Sequence, residues 1–126
     1  MGAHGRARAR LGAYFSRTLF FRTAKKMFTR ALKLQLESDL QDKILINLAR
    51  VLYKLAEYEA SIKCYSKIKT QDFYSHVGLA LASVKAEKYQ EAYNAYGTAL
   101  QLAQDSAERS QVLTAMATIA FKFQVQ

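Results

Sequence analysis

The sequence predicts an all-α fold, a solenoid of stacked helical hairpins, and three observations predict it. The first is a spacing that occurs three times. Leu11, Leu48 and Leu79, each followed by a small residue (Gly12, Ala49, Ala80), stand 13 residues before Ala24, Ser61 and Ala92. An aromatic follows each of these last three after four residues (Phe28, Tyr65, Tyr96), and another precedes each by three (Phe21, Tyr58, Tyr89). The copies are offset by 37 and then 31 residues, on either side of the period near 34 that a two-helix repeat requires. The second observation is composition. The 126 residues contain no proline and five glycines, three of them within the first twelve, so long helices meet few interruptions. The third is apolar spacing of the i, i+3, i+4 kind through most of the chain.

The elements can be placed in chain order. Residues 1–8 show no apolar periodicity and read as a basic arm. Leu11, Tyr14, Phe15, Thr18 and Leu19 mark one face of a first helix. A turn is expected near residues 18–22. Ala24, Met27, Phe28, Ala31, Leu32 and Leu34 then mark a second helix, and Ser38-Asp39 reads as a cap or loop. The next hairpin pairs residues 40–55, with Ile44, Leu45, Leu48, Val51, Leu52 and Leu55 inward, with residues 58–69, through Ile62, Tyr65 and Ile68. Residues 70–72 turn, and Asp72 stands where it could cap the helix beginning at Phe73. Residues 73–85 and 89–104 form the third hairpin around a turn at 86–88. Asp105-Ser106 caps a last stretch bearing Val112, Leu113, Met116, Ile119, Ala120 and Phe123. That stretch has no partner helix after it, which reads as a fragment or truncated form with a sticky end and weak self-association.

The small residues stand where two helices must cross closely, and the aromatics fill the space against the next unit. Half of the residues are hydrophobic (51%), which excludes a disordered chain. No apolar run reaches the roughly 18 residues a membrane span needs. A lone Cys64 permits no internal disulfide and points to a reducing compartment, cytoplasmic or nuclear. It reads as a small buried hydrophobe, not a nucleophile. The net charge of +9 is unevenly placed: residues 1–36 hold nine Arg and Lys and no carboxylate, whereas the rest of the chain balances. An Arg-rich, acid-free start could be a transit peptide, but its cleavage would remove the first repeat. Gly2 is a poor myristoylation site because Arg6 stands where Ser or Thr is expected.

With residues 54–65 (KLAEYEASIKCY) and 85–96 (KAEKYQEAYNAY) in register, the chain resembles the tetratricopeptide repeat family over residues 5–106. The resemblance implies a right-handed α-solenoid with units at about 9–38, 42–72 and 73–106, and a partial repeat or capping helix over 107–126. Departures are the replacement of the usual first-helix Trp by Arg8, Leu45 and His76, and the missing repeat-closing proline. The texture is also similar to the long scaffold subunit of superkiller-type RNA-decay complexes. The family's function implies a non-enzymatic protein-binding scaffold whose concave face is lined by first helices. Here that face would present Lys43, Ile46, Asn47, Arg50, Tyr53 and Lys54, then Tyr74, Val77, Leu81, Val84 and Lys85. Such a groove suits an extended or helical segment bearing carboxylates. The bland alternative is a solvated face or a seam to further repeats.

A chaperone-tail clamp is incomplete, since Asn47 fits but Ala9, Ala13, Tyr74 and Gly78 occupy the other positions. No catalytic pair, phosphate loop, cofactor motif or metal-ligand spacing is present. The alternative function is an RNA-associated adaptor, with Arg6, Arg8, Arg10, Arg17 and Arg22 as phosphate contacts.

Overall fold

The structure, a computed structural model, describes residues 3–70 and 72–125, the side chains of residues 3–9, 11 and 14 excepted. Expectations resting on Gly2, His4, Arg6, Arg8, Leu11, Tyr14 or Gln71 side chains lie outside the described residues. Six helices make up the described chain: α1 (Ala3–Leu32), α2 (Ser38–Lys54), α3 (Tyr58–Ser66), α4 (Phe73–Lys85), α5 (Tyr89–Leu102) and α6 (Ser106–Phe123). No strand occurs among the described residues. Each helix packs against the next in sequence, and α2 also touches α4.

The crossings fall where the small residues stand. Ala49, Ser61, Ala80 and Ala92 are all fully buried. Ser61 Oγ donates to the Ala49 carbonyl at 2.7 Å, so the α2–α3 crossing is close enough for a side chain to reach the neighbouring backbone. The hairpin corners share one geometry. Ala56 and Glu87 both have φ of 61°. Glu57 N donates to Leu52 O and Ala56 N to Tyr53 O, and Lys88 N donates to Ser83 O and Glu87 N to Val84 O. This is the Schellman pattern, with a non-glycine residue in the left-handed position at a cost of about 1 kcal/mol.

The first unit departs from expectation. The turn near residues 18–22 is absent, and α1 runs unbroken from Ala3 to Leu32, taking in most of the basic arm. Gly12 faces open space and Ala24 is only half-buried. Two physical reasons apply. No Gly, Pro, Asn or Asp interrupts residues 13–36, and Ala and Arg propagate helix well. A corner at Leu19, the position equivalent to Ala56 and Glu87, would also carry the left-handed cost. The C-terminal half of α1 does pack: Phe28 and Leu32 join the cluster of Leu45, Leu48, Ala49, Leu52, Cys64 and Tyr65. Lys25 of α1 reaches the α2–α3 corner and pairs with Glu57 at 2.8 Å.

A second core gathers Phe73, Val77, Ala80, Ala92, Ala95, Tyr96, Ala99, Val112 and Ile119 from α4, α5 and α6, and Leu79 packs against both cores. The α6 stripe is therefore divided. Val112 and Ile119 are buried, and Phe123 stacks on Tyr89 with centroids 3.5 Å apart, while Leu113 and Phe121 stay exposed. Asp105 caps α6 as expected, accepting from Glu108 N at 2.8 Å, while Glu108 Oε1 accepts from Gln104 N at 2.9 Å. The other two cap readings need correction. Asp72 is the N-cap of α4 but makes no capping bond; its carboxylate accepts from the Ser75 hydroxyl instead. Ser38 is the first residue of α2, and Glu37 precedes it.

The second helix of the middle hairpin ends at Ser66, short of the expected residue 69, because Asp42 holds residues 69 and 70 out of the helix. Asp42 is buried and accepts from Lys69 N (3.1 Å), Thr70 N (2.9 Å) and Thr70 Oγ1 (2.7 Å). Those bonds, led by the Thr70 hydroxyl, outweigh burial and hold its carboxyl below the usual value of 3.8. A lowered folded pKa means that Asp42 stabilises the fold above about pH 4, and that this contribution disappears as pH falls through the folded pKa. Asp42→Ala leaves these donors without their acceptor and should cost roughly 1–3 kcal/mol at pH 7 by chemical denaturation. It should also flatten the acid limb of the stability profile. Parallel acid limbs in variant and parent would contradict this role.

Candidate partner-binding cleft

The cleft lies between the first helices of the two complete hairpins. Arg50, Tyr53 and Lys54 occur at i, i+3 and i+4 on α2, which places them on one face with Ile46 one turn earlier. Tyr74, Val77, Gly78 and Leu81 line the opposing face of α4. These residues, with Tyr65, Asp72 and Ser75, enclose about 370 Å³.

Apolar surface dominates the lining, with Ile46, Val77 and Leu81 between the tyrosines. Val77 contributes to the cleft while being buried in the α4–α6 core. Charge is asymmetric: Arg50 and Lys54 stand on the α2 wall, and Asp72 near the start of the α4 wall. Burial pushes the Tyr65 phenol up from its ordinary value, opposed by the Arg50 charge. Burial does the same to Tyr96, with Tyr53 adding to it. The exposed Tyr74 stacks edge-on against Phe73 at 5.1 Å. The Glu108 carboxylate, within hydrogen-bonding reach, raises its pKa. This contact brings the rim of the cleft to the start of α6.

Seven of the sequence-predicted residues are brought together here: Ile46, Arg50, Tyr53, Lys54, Tyr74, Val77 and Leu81; Val84 is not among the lining. Lys43, Asn47 and Lys85 are exposed but lie outside the lining. Lys43 falls about two turns before Arg50, ahead of Ile46, whereas Asn47 stands between Ile46 and Arg50 but at the edge of the face they share. Lys85 is the last residue of its helix, one turn past Leu81. Two residues that sequence reasoning placed elsewhere are central to the cleft. Tyr65, read as a space-filling aromatic, extends from α3 into it. Gly78 makes room for that ring: a Cβ at position 78 would overlap the Tyr65 ring carbons and hydroxyl. A signal for Gly78 was present, since it is the only glycine between residues 13 and 96 and sits in a helix interior, where Gly costs roughly 1 kcal/mol relative to Ala.

Cys64 is buried, and burial pushes its thiol pKa up, which suits a packing role. Among the described residues, no group of three or more His, Cys, Asp or Glu side chains could hold a metal ion. None of the described helices is long and apolar enough to cross a membrane.

Over 72 residues, 57% of its length, the chain is 33% identical to Tetratricopeptide repeat protein 37 of Xenopus laevis. The match spans only 5% of that relative. No family model matches the chain. The similarity supports a tetratricopeptide-like repeat, in line with the helical hairpins.

The Tyr65–Gly78 contact carries a prediction with a sign reversal. Gly78→Ala in the parent should destabilise the fold, because overpacking costs about 1–3 kcal/mol and exceeds the gain in helix propensity. In a Tyr65→Leu background the same change should be neutral or stabilising. Equal effects in both backgrounds, read from denaturation midpoints, would place the ring elsewhere.

Proposed function

We propose that the chain is a non-enzymatic protein-interaction scaffold that holds a partner segment in the α2–α4 cleft, as part of a right-handed repeat solenoid. The supporting observation is the lining itself. An apolar floor about 370 Å³ in extent, with Arg50 and Lys54 along one rim, provides a seat for an apolar side chain and charge-assisted hydrogen bonds for a neighbouring carboxylate. Similarity to a tetratricopeptide repeat protein points to the same class. Membership of a superkiller-type assembly would be a finer reading, and no residue of the cleft bears on it.

The segment best suited is a short stretch with one large apolar residue and acidic neighbours, extended or helical. Single charges on an open rim contribute little, well under ~1 kcal/mol each. Reversing two of them adds repulsion and desolvation, so Arg50→Glu with Lys54→Glu should weaken capture roughly tenfold or more. The measurement compares proteins recovered from cell extract by parent and variant, alongside thermal melts. Both side chains border open space, so the melts should agree within a few degrees. Identical recovery with identical melts would remove the cleft as the binding site.

A further inference from the structure

Two uncharged stripes of matching spacing stand at the two ends of the helix series. On α1, Phe20, Ala24, Met27 and Ala31 recur at i, i+4, i+7 and i+11, so they share one face. Phe20 is 68% exposed and Met27 47%, and the two alanines are half-buried. On α6, Ser110, Thr114, Ala117 and Phe121 recur at the same intervals, all of them exposed, Phe121 to 88%. The repeat accounts for both stripes. Leu113, Thr114 and Ala117 stand 34 residues on from Leu79, Ala80 and Ser83 of α4, the first-helix positions that the second helix of a hairpin covers. In α4 Ala80 and Ser83 are buried, and in α2 so are Leu48, Ala49 and Leu52, whereas in α6 all three are exposed. Among the described residues α6 is thus a first helix whose hairpin face is open. The converse holds for α1. Phe21, Ala24 and Phe28 repeat the second-helix spacing of Tyr58, Ser61 and Tyr65. Gly12, the small residue that would cross Ala24 in a hairpin, faces open space because α1 runs straight.

We propose that these stripes bind each other between copies, α6 of one chain lying antiparallel against α1 of the next, so that the chain associates head to tail. The pairing remakes the hairpin that occurs twice within the chain, α2 with α3 and α4 with α5, each joining a first helix to a second with small residues at the crossing. One copy cannot form it alone, since α1 packs on α2 and α6 on α5, at opposite ends of the series. Between copies Ala24 meets Thr114 and Ala117, and Phe20 and Phe121 fill the end of the seam. The antiparallel sense also brings Asp105 and Glu108, at the start of α6, to the end of α1 that carries Arg30 and Lys33, which is favourable for charge. A bilayer would suit the α1 stripe but not its match on α6, where Ser110, Thr114 and Ala117 offer little to an acyl phase. An acidic segment would seek cations, and neither stripe contains one. Because the two surfaces differ, each copy added leaves one of each open, and the assembly does not close at two. The self-association expected of α6 alone thus acquires a second surface on α1.

The test is sedimentation velocity of the full chain and of variants blocked at one stripe. A single helix–helix strip lies at the low end of interface sizes, so association is expected at roughly 0.1 mM and above, with species beyond the dimer as concentration rises. Phe20→Glu with Met27→Glu blocks the α1 stripe, and Ala117→Glu with Phe121→Glu blocks the α6 stripe; all four positions are exposed. Each blocked variant alone should associate at least about tenfold more weakly than the parent. Mixed in equal amounts, the two should form a dimer and nothing larger, because each keeps the stripe that the other lacks. Thr29→Glu, exposed on the far side of α1, should change association by less than about twofold. Circular dichroism checks the fold of each variant, and the single changes Phe20→Glu and Phe121→Glu serve the same mixing experiment should a double variant fold poorly. A parent chain that stays monomeric at about 1 mM would leave the stripes to another occupant and overturn the proposal. So would a blocked variant that still dimerises alone, which would mean that its remaining stripe pairs with itself, or folded blocked variants that fail to combine.

Discussion

Close helix crossing is the constraint on which the architecture depends. At Ala49, Ser61, Ala80 and Ala92 no side chain extends beyond a hydroxymethyl group, and each is fully buried. The hydrogen bond from Ser61 to the Ala49 carbonyl shows how near the two backbones come. A closely crossed hairpin is thin, so the aromatic one turn later, Tyr65 or Tyr96, projects past it toward the next hairpin. Gly78 receives the Tyr65 ring, and the spacing this sets between α2 and α4 leaves the cleft. The cleft is thus a consequence of packing between two residues deeper in the structure.

Small residues permit a hairpin but do not compel one. Gly12 and Ala24 repeat the pattern of Ala49 and Ser61, yet α1 runs straight between them. The difference lies in burial. At Ala56 and Glu87 the left-handed corner costs about 1 kcal/mol, and folding back buries a helix with neighbours on both sides: α2 between α1 and α3, α4 between α3 and α5. No such burial accompanies the first half of α1, where residues 15–17, 19 and 20 are exposed. The straight α1 exposes Phe15, Leu19 and Phe20 and presents a long basic face that a hairpin would have divided.

This contrast also explains what the sequence could reveal. Periodicity is a local property and was sufficient to identify α2 to α6, because each has a packed neighbour that rewards its pattern. The same periodicity in residues 9–36 suggested a hairpin, but one helix runs through the expected turn. Cleft residues were legible where helical spacing decides the face, as for Arg50, Tyr53 and Lys54. They were not legible where distant contacts decide. Asp42 looks like one more surface acid in the sequence, and only the fold brings Lys69 and Thr70 over it. Lys43 and Lys85 fall beyond the stretches of α2 and α4 that line the cleft, and Asn47 stands within that stretch but at the edge of its face.

A spin-label distance across α1 tests this account most directly, since it distinguishes a chain with two crossed hairpins from one with three. Labels at Gly12→Cys and Thr29→Cys, with the buried Cys64 changed to Ser, sit on exposed positions; Gly12 has nothing within 4 Å of an added Cβ. A straight helix separates their backbones by about 26 Å. A hairpin closed at Leu19 brings the two helices to about 10 Å. The account predicts a single distribution near the longer distance. A population centred on the shorter one would show that the first unit closes, and that small crossing residues suffice to fold a hairpin there.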